Sequence, residues 1–266
     1  MKEGVDKMKV ALYQGDIELG DVKKNSERVA AWMKQLCKEK SVNCVILPEL
    51  WSSGYAYDQL EQIASQEEET KAFMVELANT HKVHIIGGSI VTKRENKFYN
   101  TALVYNKEGA LINQYDKVHL VPMLNEPDFF AAGQEPPHLF TLDGLTIGTM
   151  ICYDLRFPEL ARKLTLAGAD VLVIPAEWPR ARTAVWRTLL QARAIENQVY
   201  VIGVNRIGSD TQTAYGGHSV VIRPSGDVIE EATEDEGTIL ATLKKKEVEQ
   251  IREDIPLLKD RKPSLY

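Results

Sequence analysis

Three residues of different chemistry each follow a stretch that has the pattern of a strand. They are Glu49 after "CVILP", Lys117 after "LINQYD" and Cys152 after "LTIGTMI". Because packed strands bring their ends to a common edge, residues far apart in sequence can meet there. The carboxylate could then take the thiol proton, the thiolate could attack a carbonyl or nitrile carbon, and the ammonium could stabilise the oxyanion. The three residues therefore indicate nucleophilic catalysis.

Each of the three residues also has a purely structural explanation. A cysteine that ends an apolar strand is most often a small buried hydrophobe. Glu49 could be an ordinary carboxylate at a helix entrance, and Lys117 could be a solvated loop lysine. His119 and His218 are the histidines nearest to these segments, and a histidine base is the minor alternative to a glutamate base.

The turn after Cys152 favours the catalytic explanation. Asp154 is a suitable N-cap for a helix that begins at Leu155, so the cysteine would lie just before a helix N-terminus. There the helix dipole favours the thiolate over the thiol. The main-chain N–H of Tyr153 would point to the place where an oxyanion forms, and we expect it to donate to the substrate oxygen.

The bulk properties describe an acidic globular chain. Its 266 residues carry a formal net charge of -6, and 44% of them are hydrophobic. The pI near 5.5 argues against non-specific binding to nucleic acid or to an anionic membrane. No apolar run reaches the roughly 20 residues of a transmembrane helix. The apolar part of the N-terminus is too short for a signal peptide, so we expect a cytoplasmic protein.

The cysteine and histidine spacing predicts no structural metal site and no disulfide framework. The three cysteines form no CxxC pair and leave an odd count. Cys37 and Cys44 are expected to be packing residues. His81 and His84 lie close together, but no cysteine or carboxylate stands at ligand spacing beside them.

Strand and helix patterns alternate along the chain. Helices are predicted at 21–39, 58–81, about 156–167 and about 183–197, and strands at "KVALYQ", "CVILP", "VHIIGGS", "LTIGTMIC", "DVLVIP" and "VYVIGVN". Two hairpins are predicted to turn at 107–109 and 224–226. This order predicts an α/β mixed sheet arrangement with helices outside, in one domain spanning 1–266. The aperiodic stretch 117–137 is expected to be a functional loop.

The segments around the three candidate residues resemble the signature regions of the nitrilase (carbon–nitrogen hydrolase) superfamily. These segments are "LPELWSSGY", "YDKVHLVP" and "GTMICYDLRFPEL", and the flanking "NTALVYNKEG", "GADVLVIPAEWP" and "LLQARAIENQVYVIGVNR" are similar too. Three motifs in the same order are strong support for the resemblance. It implies a four-layer α-β-β-α sandwich, paired through its helices into a dimer, with no metal or organic cofactor.

The resemblance also implies a role for each matching residue. Glu49 would be the general base and later the general acid, Lys117 the oxyanion stabiliser, and Cys152 the nucleophile. A second glutamate accompanies the triad in this family, and Glu126 in "MLNEPDFFAAG" is the matching position.

The segment "AEWPRARTAVW" is expected to line the substrate pocket. Trp178 would form a flat wall, while Arg180 and Arg182 could bind a substrate carboxylate or could instead form surface ion pairs. Glu177 and Tyr55 are further candidates for contact with the substrate. The segment resembles the omega-amidase branch, which deamidates monoamides of 2-oxo dicarboxylic acids, so a small amide bearing a carboxylate is the expected substrate.

Other functions compatible with these motifs stay open. A nitrilase proper and an N-carbamoyl amino acid hydrolase are the enzymatic alternatives. A non-catalytic binding or assembly module is the remaining one, although such a protein would be expected to lose one of the three residue types. A homodimer or larger homo-oligomer is expected, with the tail from about 254 to 266 at the interface.

Overall fold

The computed structural model describes residues 7–265. Within these residues the strands form two six-stranded sheets. In spatial order, the first sheet contains β12 (Gly237–Lys244), β1 (Lys7–Gln14), β2 (Cys44–Ile46), β3 (His84–Arg94), β4 (Lys97–Tyr105) and β5 (Leu111–Asp116). The second contains β11 (Val228–Glu231), β10 (Val220–Ile222), β9 (Tyr200–Asn205), β8 (Val171–Ala176), β7 (Leu145–Thr149) and β6 (Leu139–Leu142).

Both sheets have a parallel centre and antiparallel edges. Strands β1, β2 and β3 are parallel neighbours, as are β7, β8 and β9. The outer strands join them in antiparallel register, which makes both sheets mixed. The carboxyl ends of parallel strands share one edge, and irregular segments at that edge are the usual place for a site.

The helices are α1 (Val22–Glu39), α2 (Leu60–Ser65), α3 (Glu67–His81), α4 (Glu126–Phe129), α5 (Pro158–Leu166), α6 (Thr183–Asn197) and α7 (Lys245–Asp254). Helices α1 and α3 cover the outer face of the first sheet, and α5 and α6 cover that of the second. Helix α1 shows the local cause most clearly. Asp21 caps it by accepting from the N–H of Lys24, and its buried side chains Val29, Met33 and Leu36 recur at helical spacing.

The buried clusters establish the four-layer order. One cluster lies between the sheets and joins Val10 and Ile46 of the first sheet to Val173 and Ile202 of the second. A second packs α5 and α6 on the second sheet, and a third packs α1 and α3 on the first. The predicted α-β-β-α sandwich of the α/β class is therefore confirmed.

Several predicted boundaries were wrong. The helix predicted over 58–81 is divided into a short 3₁₀ turn, α2 and α3, with the break at Gln66. The helix expected from about 156 begins at Pro158, after a 3₁₀ turn over Cys152–Arg156. Strands β6 and β12 and helix α7 were not predicted. Both hairpins, β4–β5 and β10–β11, were predicted correctly.

Two further expectations concern membrane-spanning helices and the two ends of the chain. Among residues 7–265, no helix is long and apolar enough to cross a membrane. The tail expected at an interface runs in turns after α7, with Ile255 and Leu265 exposed. Residue 266 and the N-terminal segment 1–6, which the signal-peptide argument concerned, lie outside the described residues.

Candidate active site

Glu49 and Lys117 meet in the interior at the carboxyl-terminal end of β2. Glu49 is the third residue after β2, and Lys117 directly follows β5. The Nζ of Lys117 donates to Oε1 of Glu49 at 2.7 Å, and neither side chain has exposed surface. Two charged groups this deeply buried must satisfy each other, because removal from water is costly for each.

Glu126 and Tyr55 complete the contacts of the lysine. Nζ also donates to the two carboxylate oxygens of Glu126, at 3.0 and 2.9 Å, and to the hydroxyl of Tyr55 at 3.1 Å. Tyr55 in turn donates to Oε1 of Glu49 at 2.8 Å. Glu126 starts α4 within the aperiodic stretch 117–137, and the N–H of Val121 donates to its Oε2 at 2.7 Å. The ammonium is thus held between two fixed carboxylates.

Asn100 belongs to the same cluster and was not predicted. Its side-chain amide donates to Oε1 of Glu49 at 2.8 Å and to Oε1 of Glu126 at 3.2 Å. Its main-chain carbonyl accepts from the N–H of Lys117 at 2.9 Å. Asn100 opens the "NTALVYNKEG" segment. The only sequence signal was therefore a polar residue in a strand whose other inward positions are apolar.

The cluster separates the proton affinities of its two carboxyls. Burial raises the pKa of Glu49, but the Lys117 ammonium and the hydrogen bonds to Glu49 outweigh burial and leave that pKa below its usual value. Burial and the charge of Glu49 keep the pKa of Glu126 above its usual value despite Lys117. Burial disfavours the ammonium, yet the two carboxylates hold the pKa of Lys117 well above its ordinary value.

Cys152 is the third residue after β7 and begins the 3₁₀ turn over Cys152–Arg156. Its φ of 46° lies in the left-handed region, where a residue with a Cβ is strained, and such strain is concentrated at functional sites. The thiol is buried and lies in the field of Glu49, Lys117 and Glu126. Burial, followed by the negative charge of Glu49, raises the pKa of the Cys152 thiol well above its ordinary value.

The expectation that a helix N-terminus favours the thiolate of Cys152 was therefore wrong. The long helix α5 begins six residues after Cys152. The 3₁₀ turn that contains the cysteine is too short to offset burial and the nearby carboxylates. The raised pKa favours the thiol over the thiolate at Cys152.

Asp154 does not cap a helix as predicted. Its buried carboxylate accepts from the N–H of Ile151 at 3.0 Å and from the hydroxyl of Tyr115 at 2.7 Å. It also accepts from the N–H of His119 at 3.1 Å and lies 2.8 Å from the Nδ1 of that ring. Asp154 therefore ties the cysteine turn to the loop that carries Lys117. His119 takes part in this contact and not in the cluster of Glu49 and Lys117.

The predicted substrate-side residues divide into two groups. Trp178 is 2% exposed, its indole N–H donates to the carbonyl of Arg182, and its ring lies 4.8 Å from the guanidinium of Arg156. Arg156 also lies 5.6 Å from the ring of Tyr153, the residue after Cys152. Arg180 is instead half-exposed and pairs with a surface glutamate. Arg182 is exposed as well, so neither arginine of this segment joins the buried cluster.

Arg156 is the cation that sequence reasoning missed. It is half-buried, and its Nε is enclosed without a hydrogen-bond partner. Across residues 7–265 its guanidinium contacts are the two aromatic faces, with no carboxylate paired to it. The signal was present in "CYDLRFPEL", four residues after the cysteine.

Glu177 is placed beside Glu49 by the end of β8. Its main-chain N–H donates to Oε2 of Glu49 at 2.8 Å, while its own buried carboxylate accepts from Arg206 at 3.1 Å. No group of three or more histidine, cysteine or acidic side chains within residues 7–265 is arranged to hold a metal ion.

Comparisons with known proteins cover nearly the full chain. Residues 9–253 match the carbon-nitrogen hydrolase family. The chain is 44% identical over 261 residues to "Hydrolase in agr operon" of Staphylococcus aureus, covering 97% of this chain and 100% of the relative. It is 37% identical over 261 residues to the 2-oxoglutaramate amidase of Bacillus subtilis, covering 98% and 100%. The crystal structure of Nit3 from Saccharomyces cerevisiae, a member of branch 10 of the nitrilase superfamily, is similar with a TM-score of 0.88 and 31% identity over 97% of each chain.

Proposed function

The chain belongs to the carbon–nitrogen hydrolase family, and we propose that it hydrolyses a small amide bearing a carboxylate through a thioester on Cys152, releasing ammonia. The observation that carries this proposal is the buried cluster of Glu49 and Lys117 beside the Cys152 thiol. An acceptor for the thiol proton, a cation for the oxyanion and a nucleophile are the groups that acyl transfer requires.

In the first step the Sγ of Cys152 bonds to the amide carbon while its proton passes to the carboxylate of Glu49. The amide oxygen becomes an oxyanion, stabilised by Lys117 and by the main-chain N–H of Tyr153. Each donor of this kind contributes on the order of 3 kcal/mol to lowering the barrier. The contact of Lys117 with the Tyr55 hydroxyl, at 3.1 Å, is its longest, so the oxyanion would replace that contact at least cost.

In the second step Glu49 gives the proton to the amide nitrogen, the C–N bond breaks, and ammonia leaves a thioester on Cys152. Water then attacks the thioester and gives a proton to Glu49. The C–S bond breaks, the thiolate recovers that proton, and the carboxylic acid departs. The proton that Glu49 takes from the thiol leaves with ammonia, and the proton that it takes from water returns to the thiolate, so no external acid or base is needed.

Glu126 would act on this chemistry through Lys117. Its carboxylate accepts two contacts from Nζ, at 3.0 and 2.9 Å, and is itself fixed by the N–H of Val121. A second carboxylate keeps Lys117 charged when Glu49 is neutralised by the thiol proton. The oxyanion would then still face a full positive charge.

The substrate class rests on Arg156. The guanidinium of Arg156 lies over the rings of Tyr153 and Trp178 without a paired carboxylate in residues 7–265, which suits a bidentate contact with a substrate carboxylate. This position favours an amide with an acidic group, such as the substrate named for the Bacillus subtilis relative.

The decisive experiment measures ammonia release over a panel of small substrates. The panel pairs 2-oxoglutaramate and the monoamide of succinic acid with uncharged short aliphatic amides, nitriles and carbamoyl amino acids. The acidic amides should be cleaved with the highest kcat/KM, and rapid acid quenching should trap an acyl group on Cys152 by mass spectrometry. Equal rates on uncharged amides would reject the carboxylate requirement. Ammonia release by Cys152→Ala would reject the mechanism.

We further propose that the active form is a cytoplasmic homodimer. Leu166 and Ile195 on α5 and α6 are 48% and 50% exposed, and Ile255 after α7 is 55% exposed. Apolar side chains exposed on neighbouring helices are typical of an interface. Light scattering should give twice the chain mass, and truncation after Asp254 should weaken the dimer. An unaltered dimer after truncation would place the interface elsewhere.

A further inference from the structure

Glu177 is a buried carboxylate that the proposed reaction does not use. It follows β8 directly and is 0% exposed. Its main-chain N–H donates to Oε2 of Glu49 at 2.8 Å, and its own Oε2 accepts from Nη1 of Arg206 at 3.1 Å. Its Oε1 is enclosed without a hydrogen-bond partner among the described residues. A fully buried carboxylate with an unpartnered oxygen is costly, so its retention beside the general base calls for a functional explanation.

Arg206 anchors Glu177 to the opposite sheet. It follows β9 directly and is fully buried, and its Nη2 donates to Oδ1 of Asp16 at 3.0 Å and to the carbonyl of Ile17 at 2.8 Å. Asp16 and Ile17 follow β1, in the other sheet. Its guanidinium also lies 4.3 Å from the ring of Tyr215. The arginine thus fixes the segment of Glu177 relative to the strand ends of both sheets.

Gly54 leaves the space that this ion pair occupies. Its φ is +60°, and a Cβ at this position would lie 3.4 Å from Nη1 of Arg206 and 3.6 Å from Oε1 of Glu177. The turn containing Gly54 therefore packs directly on the pair and keeps water away. In such surroundings a charge acts strongly on its neighbours.

We propose that Glu177 is a positioning residue for Glu49, which orients the general base through its main-chain N–H and sets the base's proton affinity through its side-chain charge. This inference rests on the proposed role of Glu49. The two effects act together, because Arg206 fixes the carboxylate of Glu177 and, through it, the peptide that donates to Glu49.

The charge effect has a defined direction. Burial raises the pKa of Glu177 to about 7, the Arg206 cation opposes that rise, and the charge of Glu49 adds to it. Glu49 faces Glu177 from the end of β2, and Arg206 and Tyr215 face it from the segment after β9. Asp16 acts on it through Arg206. When Glu177 ionises, its negative charge raises the pKa of Glu49, so Glu49 takes the thiol proton more readily. The value of kcat/KM should therefore rise as pH increases through about 7.

The first test is Glu177→Gln, which keeps the side-chain size and an oxygen that can accept from Arg206. The rise of kcat/KM near neutral pH should disappear, and kcat above that pH should fall about three- to tenfold while KM changes little. Glu247→Gln is the matched control, because Glu247 pairs with Arg223 and Tyr200 away from the site. The control should keep the wild-type pH profile.

The second test is Asp16→Asn, which does not depend on replacing a fully buried group. The side chain of Asp16 is 46% exposed, so the variant should fold. Removing its negative charge leaves Arg206 a stronger partner for Glu177 and lowers the pKa of Glu177. The rise of kcat/KM should therefore move to lower pH.

The outcomes separate this inference from the proposed function. A uniform loss of kcat in Glu177→Gln at every pH would leave only a structural role and would overturn the inference. An unshifted profile in Asp16→Asn would overturn it as well, even if Glu177→Gln does not fold. Ammonia release by Cys152→Ala would instead overturn the proposed function, whatever the pH profiles show.

Discussion

The Nζ of Lys117 lies 2.7 Å from Oε1 of Glu49 with no solvent access to either side chain. Glu126 lies on the other side of the same nitrogen at 2.9 Å. Three charged side chains held together in the interior cannot be substituted one at a time without cost, because each substitution leaves a buried charge without its partner. The charge balance of this cluster and the stability of this part of the fold are therefore coupled.

Lys117→Met should lower both stability and activity. The variant leaves Glu49 and Glu126 facing each other without a cation, which should reduce the free energy of unfolding by about 3–5 kcal/mol. Ammonia release should fall at least about 100-fold, because the oxyanion loses its cation. Urea unfolding and initial rates measure the two effects. The double variant Lys117→Met/Glu126→Gln should regain part of the stability and none of the activity. A single variant as stable as the wild type would contradict the coupling.

Asp154→Asn should loosen the turn that contains Cys152. Each carboxylate oxygen of Asp154 faces two hydrogen-bonding groups: Ile151 and Tyr115 on one side, and the main chain and ring of His119 on the other. Either orientation of an asparagine amide would turn an NH₂ group towards donors. We expect a loss of about 1–3 kcal/mol in stability and a lower kcat.

Asp170→Asn is the control for this variant. Asp170 is also buried, and its carboxylate accepts from the N–H of Thr146. It lies just before β8, at the opposite end of that strand from Glu177. It should lose stability while keeping kcat. An Asp154 variant with wild-type kcat would show that the turn does not need this tie.

Gly88→Ala should disrupt the backbone that supports Glu49. The φ of Gly88 is +53°, and a Cβ there would lie 1.8 Å from the carbonyl oxygen of Pro48. The register of β3 shifts at this point, and Ser89 then bonds to both neighbours of Glu49, accepting from the N–H of Leu50 and donating to Pro48. We expect a loss of about 3 kcal/mol or more in thermal unfolding. Gly237→Ala, with open space at its Cβ, should be nearly neutral, and equal effects would refute this explanation.

The ionisation of Cys152 should respond to its charged neighbours in opposite directions. Burial, then Glu49, raises the pKa of the thiol, whereas Lys117 lowers it. Glu49→Gln should therefore lower the pKa of Cys152, and Lys117→Met should raise it further. The ultraviolet absorbance of the thiolate as a function of pH, with Cys152→Ala as the blank, measures both. A thiolate already present at neutral pH in the wild type would contradict the charge balance derived from the cluster.

The sequence was sufficient to bring Glu49 and Cys152 to one edge because each follows a short apolar run. These runs are almost entirely buried, so their limits are clear. The same rule would also place Arg206 at this edge, because Arg206 follows the apolar run of β9. Strand β12 was missed because its buried and exposed residues alternate along a sheet edge. Helix α7 was missed because Val248 is the one residue of this helix that is buried.

Contacts between distant segments could not be predicted. The pattern around Asp154 is the same whether its carboxylate caps a following helix or binds the loop at His119, 35 residues away. The choice depends on where β5 and β7 end in space. In the same way, Arg156 and Arg182 are equally plausible carboxylate partners in sequence. Burial between two aromatic rings distinguishes them.

Arg156→Gln should therefore separate acidic from neutral substrates. The variant removes the guanidinium beside Tyr153 and Trp178, and kcat/KM for a carboxylate-bearing amide should fall about 100-fold. For an uncharged amide of the same length, kcat/KM should stay within about threefold of wild type, because that substrate never paired with the arginine. Arg182→Gln, at an exposed position, should leave both substrates unaffected. Equal losses on both amides in Arg156→Gln would mean that Arg156 supports the cysteine turn, whereas a selective loss in Arg182→Gln would move the carboxylate site to the surface segment.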